Sequence, residues 1–294
     1  MAPFDVVTVT LNPAIDRTVT ISHFSQGAVN RVERTRDTPG GKGVNVAAAL
    51  ADAGHRVAVT GFLGRDNCGI FEALFAKKQI ADRFVRMEGE TRVGIKISDP
   101  AEHLTTDINF PGNAISPQDI AALRGQIASL NAPWFVLAGS LPPGVHPGIY
   151  RDLVVELKAA GSRVAVDTGG EPLRQALDAA PTVIKPNIDE LEELLGRRLA
   201  DEKAVLDAAR SLVARGIALV VVSMGKNGAC FVNAERAVIA RPPDIAIRST
   251  VGAGDAMVAG ILSAQLANLP LDECARLATA FSQRALTANA TGLD

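Results

Sequence analysis

The most constraining feature of the sequence is a regular alternation of short apolar runs with longer helical patterns. Residues 134–139 (WFVLAG), 163–167 (RVAVD) and 218–223 (ALVVVS) are short, mostly apolar and rich in valine. Strands that alternate with helices build parallel sheets, and strands without a polar face are covered on both sides. The pattern therefore predicts an α/β fold with a doubly wound, mostly parallel sheet flanked by helices.

Two segments of the N-terminal half depart from this alternation. Residues of about 15–36 and 82–98 alternate apolar with polar side chains, and Arg92, Gly94 and Lys96 fall on one face of the second segment. Such alternation is typical of a sheet with one solvated face. We therefore predict a single domain over residues 1–294, in which these two segments form a small β-sheet that acts as a lid.

The composition argues against several classes of protein. The 294 residues are 47% hydrophobic and 21% charged, which allows a large core, and the net charge of −2 offers no general field for nucleic acid or an anionic membrane. No apolar stretch approaches the roughly 18 residues of a membrane span, and the N-terminus lacks the basic region of a signal peptide. The three cysteines have neither metal-binding nor disulfide spacing. We expect a cytoplasmic protein that binds neither nucleic acid nor a membrane.

A glycine turn near the C-terminus points to phosphate chemistry. Gly252 and Gly254 precede Asp255 at the predicted start of a helix. The backbone N–H groups of Gly252, Ala253 and Gly254 can converge on an anion there, where the helix dipole favours negative charge. Asp255 can accept a proton from an attacking hydroxyl group. The alternative is a plain glycine turn followed by an Asp that only stabilises the helix start.

A second glycine-rich turn, PGGKGVNVA at residues 39–47, also leads into a helix. Gly41 and its neighbours allow close approach of a ligand, Lys42 can pair with a phosphate, and Asn45 can bind sugar hydroxyls. The alternative is a flexible loop with a solvated lysine. The chain has no GxxxxGK[ST] motif and no GxGxxG after its first strand, which argues against a P-loop protein and a standard dinucleotide binder.

Two more motifs follow predicted strands. In KPNIDELEELLG, residues 185–196, Asn187 and Glu190 share a helical face and can organise Mg²⁺ through water, although the same pair suits a capping box. In VSMGKNGA, residues 222–229, backbone amides can meet phosphates, although a plain β-turn has the same glycines. Arg92 can bind a phosphate through two parallel hydrogen bonds; the alternative is a charged side chain exposed to solvent.

Five motifs in order carry a resemblance to a known family. They are PGGKGVNVA, AGSLPPGV, KPNIDEL, VSMGKNGA and STVGAGDAMVAG. Together they resemble the ribokinase-like (PfkB) family of sugar kinases over nearly the whole length, and TLNPAID, GSLPPGV and TRVGIK are similar to its phosphosugar kinases. The resemblance implies a ribokinase-like fold, ATP and Mg²⁺ as cofactors, and a phosphosugar substrate. Members of the family usually continue with a further helix beyond the point where ATGLD ends this sequence.

The resemblance also implies roles for the matched residues. Asp255 would be the catalytic base, with the amides of residues 252–254 as an anion hole. The residues implied for the phosphosugar are Asp16, Gly41, Lys42, Asn45, Arg92 and Ser140, of which Lys42, Arg92 and Ser140 would face its phosphate. The residues implied for ATP are Lys185, Asn187, Ser223, Gly225 and Gly228, and those for Mg²⁺ are Asn187 and Glu190. Arg31 would add charge from the lid or across a dimer.

The implied reaction is the phosphorylation of fructose 1-phosphate by ATP. Tagatose 6-phosphate and fructose 6-phosphate are alternative substrates, which differ in where their phosphate sits. A silent sugar-phosphate sensor on the same fold is the non-enzymatic alternative; the intact base, glycine turn and NxxE motif argue against it. The resemblance further implies a homodimer through the lid.

Overall fold

The computed structural model describes residues 3–102, 104–242 and 252–287. Residues 249–251 of the last motif and the C-terminal ATGLD lie outside these ranges. The described strands are β1 (Val6–Thr10), β2 (Ala14–Thr20), β3 (Arg34–Gly40), β4 (Val57–Gly64), β5 (Ala81–Asp82), β6 (Val85–Met87), β7 (Val93–Asp99), β8 (Leu104–Ile108), β9 (Trp134–Ala138), β10 (Arg163–Asp167), β11 (Val183–Ile184), β12 (Leu219–Ser223), β13 (Ala229–Val232) and β14 (Ala237–Ala240). The described helices are α1 (Lys42–Asp52), α2 (Gly69–Lys78), α3 (Pro117–Ala128), α4 (Ile149–Ala159), α5 (Gly170–Ala176), α6 (Ile188–Leu195), α7 (Glu202–Val213), α8 (Ala253–Leu266) and α9 (Leu271–Thr287).

The main sheet has the strand order β14-β13-β12-β11-β10-β9-β1-β4-β5, with β6 paired to β4. Strands β12, β13 and β14 form an antiparallel edge, and the other pairs are parallel. Strand β1 lies between β4 and β9, so the chain winds outward from it in both directions. This confirms the predicted doubly wound, mostly parallel sheet.

Helices cover both faces of this sheet, as the apolar strands predict. Val6 of β1 belongs to a buried cluster that includes residues of α1, α2, α8 and α9, whereas Val7 and Val9 belong to a second cluster with residues of α3 to α7. The alternation of side chains along a strand sends neighbouring residues into these two cores. Within the described ranges, no helix is long and apolar enough to cross a membrane.

The smaller sheet has the order β3-β2-β7-β8 and corresponds to the predicted lid, but with corrected boundaries. The strands of this sheet lie within residues 14–40 and 93–108. Strand β8 extends the sheet beyond the predicted limit, and the segment 82–92 does not belong to it. Strand β6 instead pairs with β4 in the main sheet, with Val85 opposite Phe62. An alternating pattern indicates which side chains share a face, but it does not indicate which strand will be the partner.

Candidate active site

Part of the predicted site comes together at the carboxyl edge of the main sheet, namely Lys42, Asn45, Lys185, Glu190 and Asp255. Helix α1 begins there after β3, helix α6 begins after β11, and helix α8 begins at the same edge. In open α/β sheets this crevice is where ligands bind. The side chains that meet there come from distant parts of the sequence.

Asp255 lies in the first turn of α8 and is 8% exposed. Asn45 donates from Nδ2 to Asp255 Oδ2 over 2.7 Å. Burial and the nearby charge of Asp167 raise the pKa of Asp255 to about 6, although Asn45, Lys42 and Lys185 favour its charged form. A carboxyl group of this kind is ionised at neutral pH and is a stronger base than an ordinary Asp.

The start of α8 matches the predicted anion-binding turn. Gly252 occupies the N-cap position with φ of 75°, a left-handed conformation that favours glycine, and no side chain from the described ranges caps the helix. A Cβ atom at Gly254 would lie 3.4 Å from Lys185 Nζ, so an ammonium group stands beside this turn. An uncapped helix start next to a cation attracts anions.

Asp167, at the end of β10, links the two lysines of the site, and the sequence analysis missed it. It is 1% exposed, and its Oδ1 atom lies 3.3 Å from Lys42 Nζ and 3.4 Å from Lys185 Nζ. Its Oδ2 atom is buried and has no hydrogen-bond partner among the described residues. The one available signal was an Asp at the carboxyl end of a predicted parallel strand.

Lys42 is held among carboxylates. Besides Asp167, its Nζ lies 3.7 Å from Glu190 Oε1. Burial opposes its charged form, but Asp167, Glu190 and Asp255 together raise the pKa of Lys42 above its usual value. Among the described residues, neither Arg92 nor Ser140 forms a hydrogen bond with Lys42, and a shared role of the three at the sugar phosphate stays a prediction.

Asn187 and Glu190 form the capping box that was the alternative to a metal site. Glu190 donates from its backbone N–H to Asn187 Oδ1 over 2.8 Å, and Asn187 donates from its backbone N–H to Glu190 Oε2 over 2.9 Å. Glu190 Oε1 remains directed towards Lys42. In the part of the chain that the structure describes, no three His, Cys, Asp or Glu side chains form a ready-made metal cluster.

The residues present nevertheless fit a hydrated magnesium ion. Glu190 Oε1 and the unpartnered Asp167 Oδ2 are hard carboxylate oxygens, and both side chains contact Lys42. Mg²⁺ keeps several waters and takes one or two carboxylates together with substrate phosphates. Asp167 thus joins the predicted pair as a candidate ligand.

The turn after β12 is more tightly closed than predicted. Met224 donates to Gly228 O over 2.7 Å and Gly228 donates to Gly225 O over 3.0 Å, so these amides are occupied within the turn. A Cβ atom at Gly228 would lie 2.0 Å from Ala240 O, which explains the glycine by packing. Ser223 forms a β-bridge with Asn187, which places this turn beside α6. The role of the turn in binding ATP stays a prediction.

Arg92 and Ser140 meet through Asn12, a second residue that the predictions missed. Arg92 donates to the backbone carbonyls of Asn12, Pro13 and Phe110, which occupies three of its five N–H groups. Asn12 donates from Nδ2 to Ser140 Oγ over 3.2 Å. As far as the described residues go, two N–H groups of Arg92 are left for a ligand.

Asp16 lies on β2 of the lid, close to the turn that carries Lys42. A Cβ atom at Gly40 would lie 2.5 Å from Asp16 Oδ2, so this turn approaches the carboxylate closely; Gly41 follows and caps α1. Burial raises the pKa of Asp16, against the opposing charges of Lys96 and Arg92. Arg31 is exposed in the loop before β3. Asp16 and Asn45 therefore flank one turn, while Arg31 lies apart from them.

The site combines a buried carboxylate beside an uncapped helix start with two lysines and further carboxylate oxygens. This combination is suited to phosphoryl transfer. Together with the fold, it defines an α/β phosphotransferase. The model of the pfkB family carbohydrate kinase matches residues 9–294. The chain belongs to this family.

Individual relatives cover almost the entire chain. It is 49% identical over 284 residues to the 1-phosphofructokinase of Rhodobacter capsulatus, which covers 96% of this chain and 90% of that protein. Phosphofructokinase-2 of Escherichia coli, solved in complex with substrates and products, superimposes with a TM-score of 0.92 at 30% identity over 96% of this chain and 93% of that one. The tetrameric inhibited form of the same enzyme gives a TM-score of 0.91 at 30% identity, over 96% and 94% of the two chains.

Proposed function

We propose that the protein transfers the γ-phosphoryl group of ATP to fructose 1-phosphate and forms fructose 1,6-bisphosphate and ADP. The observation that carries the transfer is the buried carboxylate of Asp255 at the uncapped start of α8. The choice of acceptor is supported by the 49% identity to a 1-phosphofructokinase.

Asp255 would act as the base. Its Oδ2 atom accepts from Asn45, which holds the carboxylate in place and leaves Oδ1 for the hydroxyl group of the sugar. As that hydroxyl attacks the γ-phosphate, Asp255 takes its proton. In phosphoryl transfer most of the rate comes from positioning and charge stabilisation, and the base mainly orients the nucleophile.

The negative charge that develops would be stabilised from several sides. The amides of Gly252, Ala253 and Gly254 would receive the transferring group, with Lys185 and Lys42 as nearby cations. A bound magnesium ion neutralises charge on the phosphates of ATP. Glu190 and Asp167 would hold this ion or its waters, and Ser223, Gly225 and Gly228 would border ATP.

The two 6-phosphates are the alternative acceptors. Fructose 6-phosphate and tagatose 6-phosphate carry the phosphate at the other end of the sugar. The structural similarity to phosphofructokinase-2 is the reason to test fructose 6-phosphate as an acceptor. The deciding experiment is a side-by-side measurement of kcat/KM for all three sugars with Mg-ATP. A preference for fructose 1-phosphate supports the proposal, and a preference for either 6-phosphate contradicts it.

We also propose that the protein is a homodimer through its lid. Ile95 and Ile97 of β7 share a face with Val19, Leu104 and Ile108, because paired strand residues point the same way. On this face Leu104 and Ile108 are 64% and 44% exposed. An exposed apolar sheet face of this kind suits a second copy of the same sheet. Self-association of the Escherichia coli relative, which has a tetrameric form, supports the idea.

A cytoplasmic location is part of the same proposal. The three cysteines, Cys68, Cys230 and Cys274, are free thiols in the structure. Free thiols persist in a reducing compartment. ATP and sugar phosphates would be met in the cytoplasm.

A further inference from the structure

The face of the lid that bears Asp16 also carries a lysine without a role in the site described above. In the parallel register of β2 and β7, Asp16 lies opposite Gly94 and Thr18 lies opposite Lys96. Since residues two apart in a strand share a face, Asp16, Gly94 and Lys96 point the same way. Arg92 stands two residues before Gly94.

Lys96 is largely buried, yet its hydrogen-bonding capacity is not filled. Its side chain is 18% exposed, and its Nζ atom donates to Asp107 Oδ1 on β8 over 3.0 Å. Among the described residues this is the one hydrogen bond of the ammonium group, which has three N–H donors. Two N–H donors of Lys96 are therefore left for a ligand.

Both cations act on the carboxylate of Asp16. Burial raises the pKa of Asp16, and among the charges that oppose this, Lys96 comes first and Arg92 second. Asp16 in turn is close to the turn that carries Gly40 and Lys42. Lys96 thus shares its face of the smaller sheet with Asp16, and Asp16 lies beside the turn that leads into α1.

Gly94 leaves a shallow bay between these side chains. A Cβ atom there would lie 3.4 Å from Asp16 Oδ1 and 3.7 Å from Asn109 Oδ1, so a side chain would fill the space. The bay has a carboxylate and an amide for sugar hydroxyls, and a cationic residue lies two positions to either side of Gly94 along the chain. A phosphate dianion has three acceptor oxygens and is best held by more than one charged donor.

We propose that Lys96 acts together with Arg92 to bind the phosphate already present on the sugar, and that Lys96 makes the enzyme select phosphorylated over unphosphorylated sugars. This inference rests on the proposed function. Asp107 keeps the ammonium group in position before the substrate arrives.

The test is Lys96→Met, which keeps the length of the side chain and removes its charge. We expect the KM for fructose 1-phosphate to rise about ten- to hundredfold, as for the loss of a charge-assisted hydrogen bond, with kcat changed less than about threefold. The kcat/KM for unphosphorylated fructose should stay nearly constant. Lys96→Arg should restore most of the affinity. Lys203→Met is the matched control, because Lys203 also pairs with an Asp over 3.0 Å but is 84% exposed on α7.

Equal losses of kcat/KM for fructose 1-phosphate and fructose in Lys96→Met would overturn the inference, because Lys96 would then act only through Asp16. An unchanged KM for fructose 1-phosphate would overturn it as well. If fructose turns over too slowly to measure, calorimetric binding of both sugars makes the same comparison. If the wild-type enzyme prefers another phosphosugar, the proposed function fails. The role of Lys96 is then tested by the effect of Lys96→Met on kcat/KM for that phosphosugar and for its unphosphorylated form.

Discussion

At the scale of single residues, the carboxylate of Asp255 is ionised at neutral pH although its side chain is almost entirely buried. Its pKa is raised from the ordinary value of 3.8 to about 6. Burial therefore disfavours the charged form in the folded state. Above about pH 6, where the buried carboxylate is charged, the full cost of this charge is subtracted from the free energy of unfolding. As the pH falls from 6 towards 3.8, protonation removes this cost.

Asp255→Asn should lose turnover by about a hundred- to ten-thousandfold, because the base is absent while the fold is kept. The same variant should be more stable than the wild type at pH 7.5, by up to about 3 kcal/mol, since a rise of about two pH units corresponds to that free energy. Denaturant titration at several pH values would measure it. The gain should shrink towards zero near pH 4.

The control is Asp189→Asn in the first turn of α6. Asp189 also lies in the first turn of a helix, but it is exposed. The change should therefore leave turnover unaltered and shift the free energy of unfolding by less than about 0.5 kcal/mol. Wild-type turnover in Asp255→Asn would contradict the role of the base. A loss of stability in that variant at pH 7.5 would contradict the effect of burial.

The pH profile of the wild-type enzyme provides an independent check on Asp255. With a pKa of about 6, kcat/KM should fall tenfold for each pH unit below 6 and be level above it. Initial rates between pH 4.5 and 8, at a constant excess of Mg²⁺, would show this. A profile that stays level to pH 5 would mean that burial does not raise this pKa in the working enzyme.

Asp167 is predicted to be essential to the stability of the site as well as to its chemistry. Asp167→Asn leaves Lys185, 5% exposed, without its buried counter-charge. Breaking a buried ion pair from one side typically costs about 3–5 kcal/mol. The double variant Asp167→Asn/Lys185→Met removes both charges and should recover much of the loss in a denaturant titration. Equal stabilities of the single and double variants would show that the pair is not coupled.

At the scale of elements, α8 depends on small residues. Nearly every residue of α8 is buried, so the helix lacks the amphipathic pattern of a surface helix. A Cβ atom at Gly260 would lie 2.6 Å from the Cα atom of Ala278 in α9. The absence of a side chain at Gly260 thus allows α8 and α9 to pack closely at this position.

Gly260→Ala should therefore destabilise the protein by about 1–3 kcal/mol, because the added methyl group overpacks the contact between α8 and α9. Gly125→Ala is the matched control, since Gly125 lies inside α3 with open space around its Cα atom. There the same change should stabilise by up to about 1 kcal/mol through helix propensity. Melting temperatures of the two variants would test the pair. Shifts of the same sign would refute this packing argument.

At the scale of the whole molecule, the smaller sheet has two faces of different chemistry. Its polar face carries Asp16 and Lys96, and its opposite face carries exposed apolar residues such as Ile108. One sheet would thus close the sugar site on one side and bury an interface on the other. Lid closure excludes water from the phosphoryl group.

Ile108→Asp should convert the proposed dimer to a monomer, because a carboxylate would be buried against the apolar face of the partner. Sedimentation velocity at micromolar concentration would measure the mass. Val155→Asp on α4 is the control: Val155 is 55% exposed, comparable to Ile108 at 44%, but lies outside the lid. A wild-type protein that sediments as a monomer would refute the proposal of a dimer through the lid.

Much of the architecture was predictable because its signals are local. Helix α6 begins after Asn187, where the motif KPNIDELEELLG suits a capping box. Caps, periods and glycine turns depend on side chains within a few residues of each other. The same holds for the glycine turn before Asp255, whose helix begins where the sequence indicated.

The sequence by itself determined the order of strands and helices, the two faces of each element and the residue types at the strand ends. Only the tertiary structure decided that β6 pairs with β4, that Asp167 joins Lys42 to Lys185, and that Asn45 holds Asp255 from a distance of 210 residues along the chain. The physical reason is range. Periodicity and capping arise from contacts between near neighbours, whereas strand pairing, burial and shifted pKa values arise from groups that the fold brings together from distant segments.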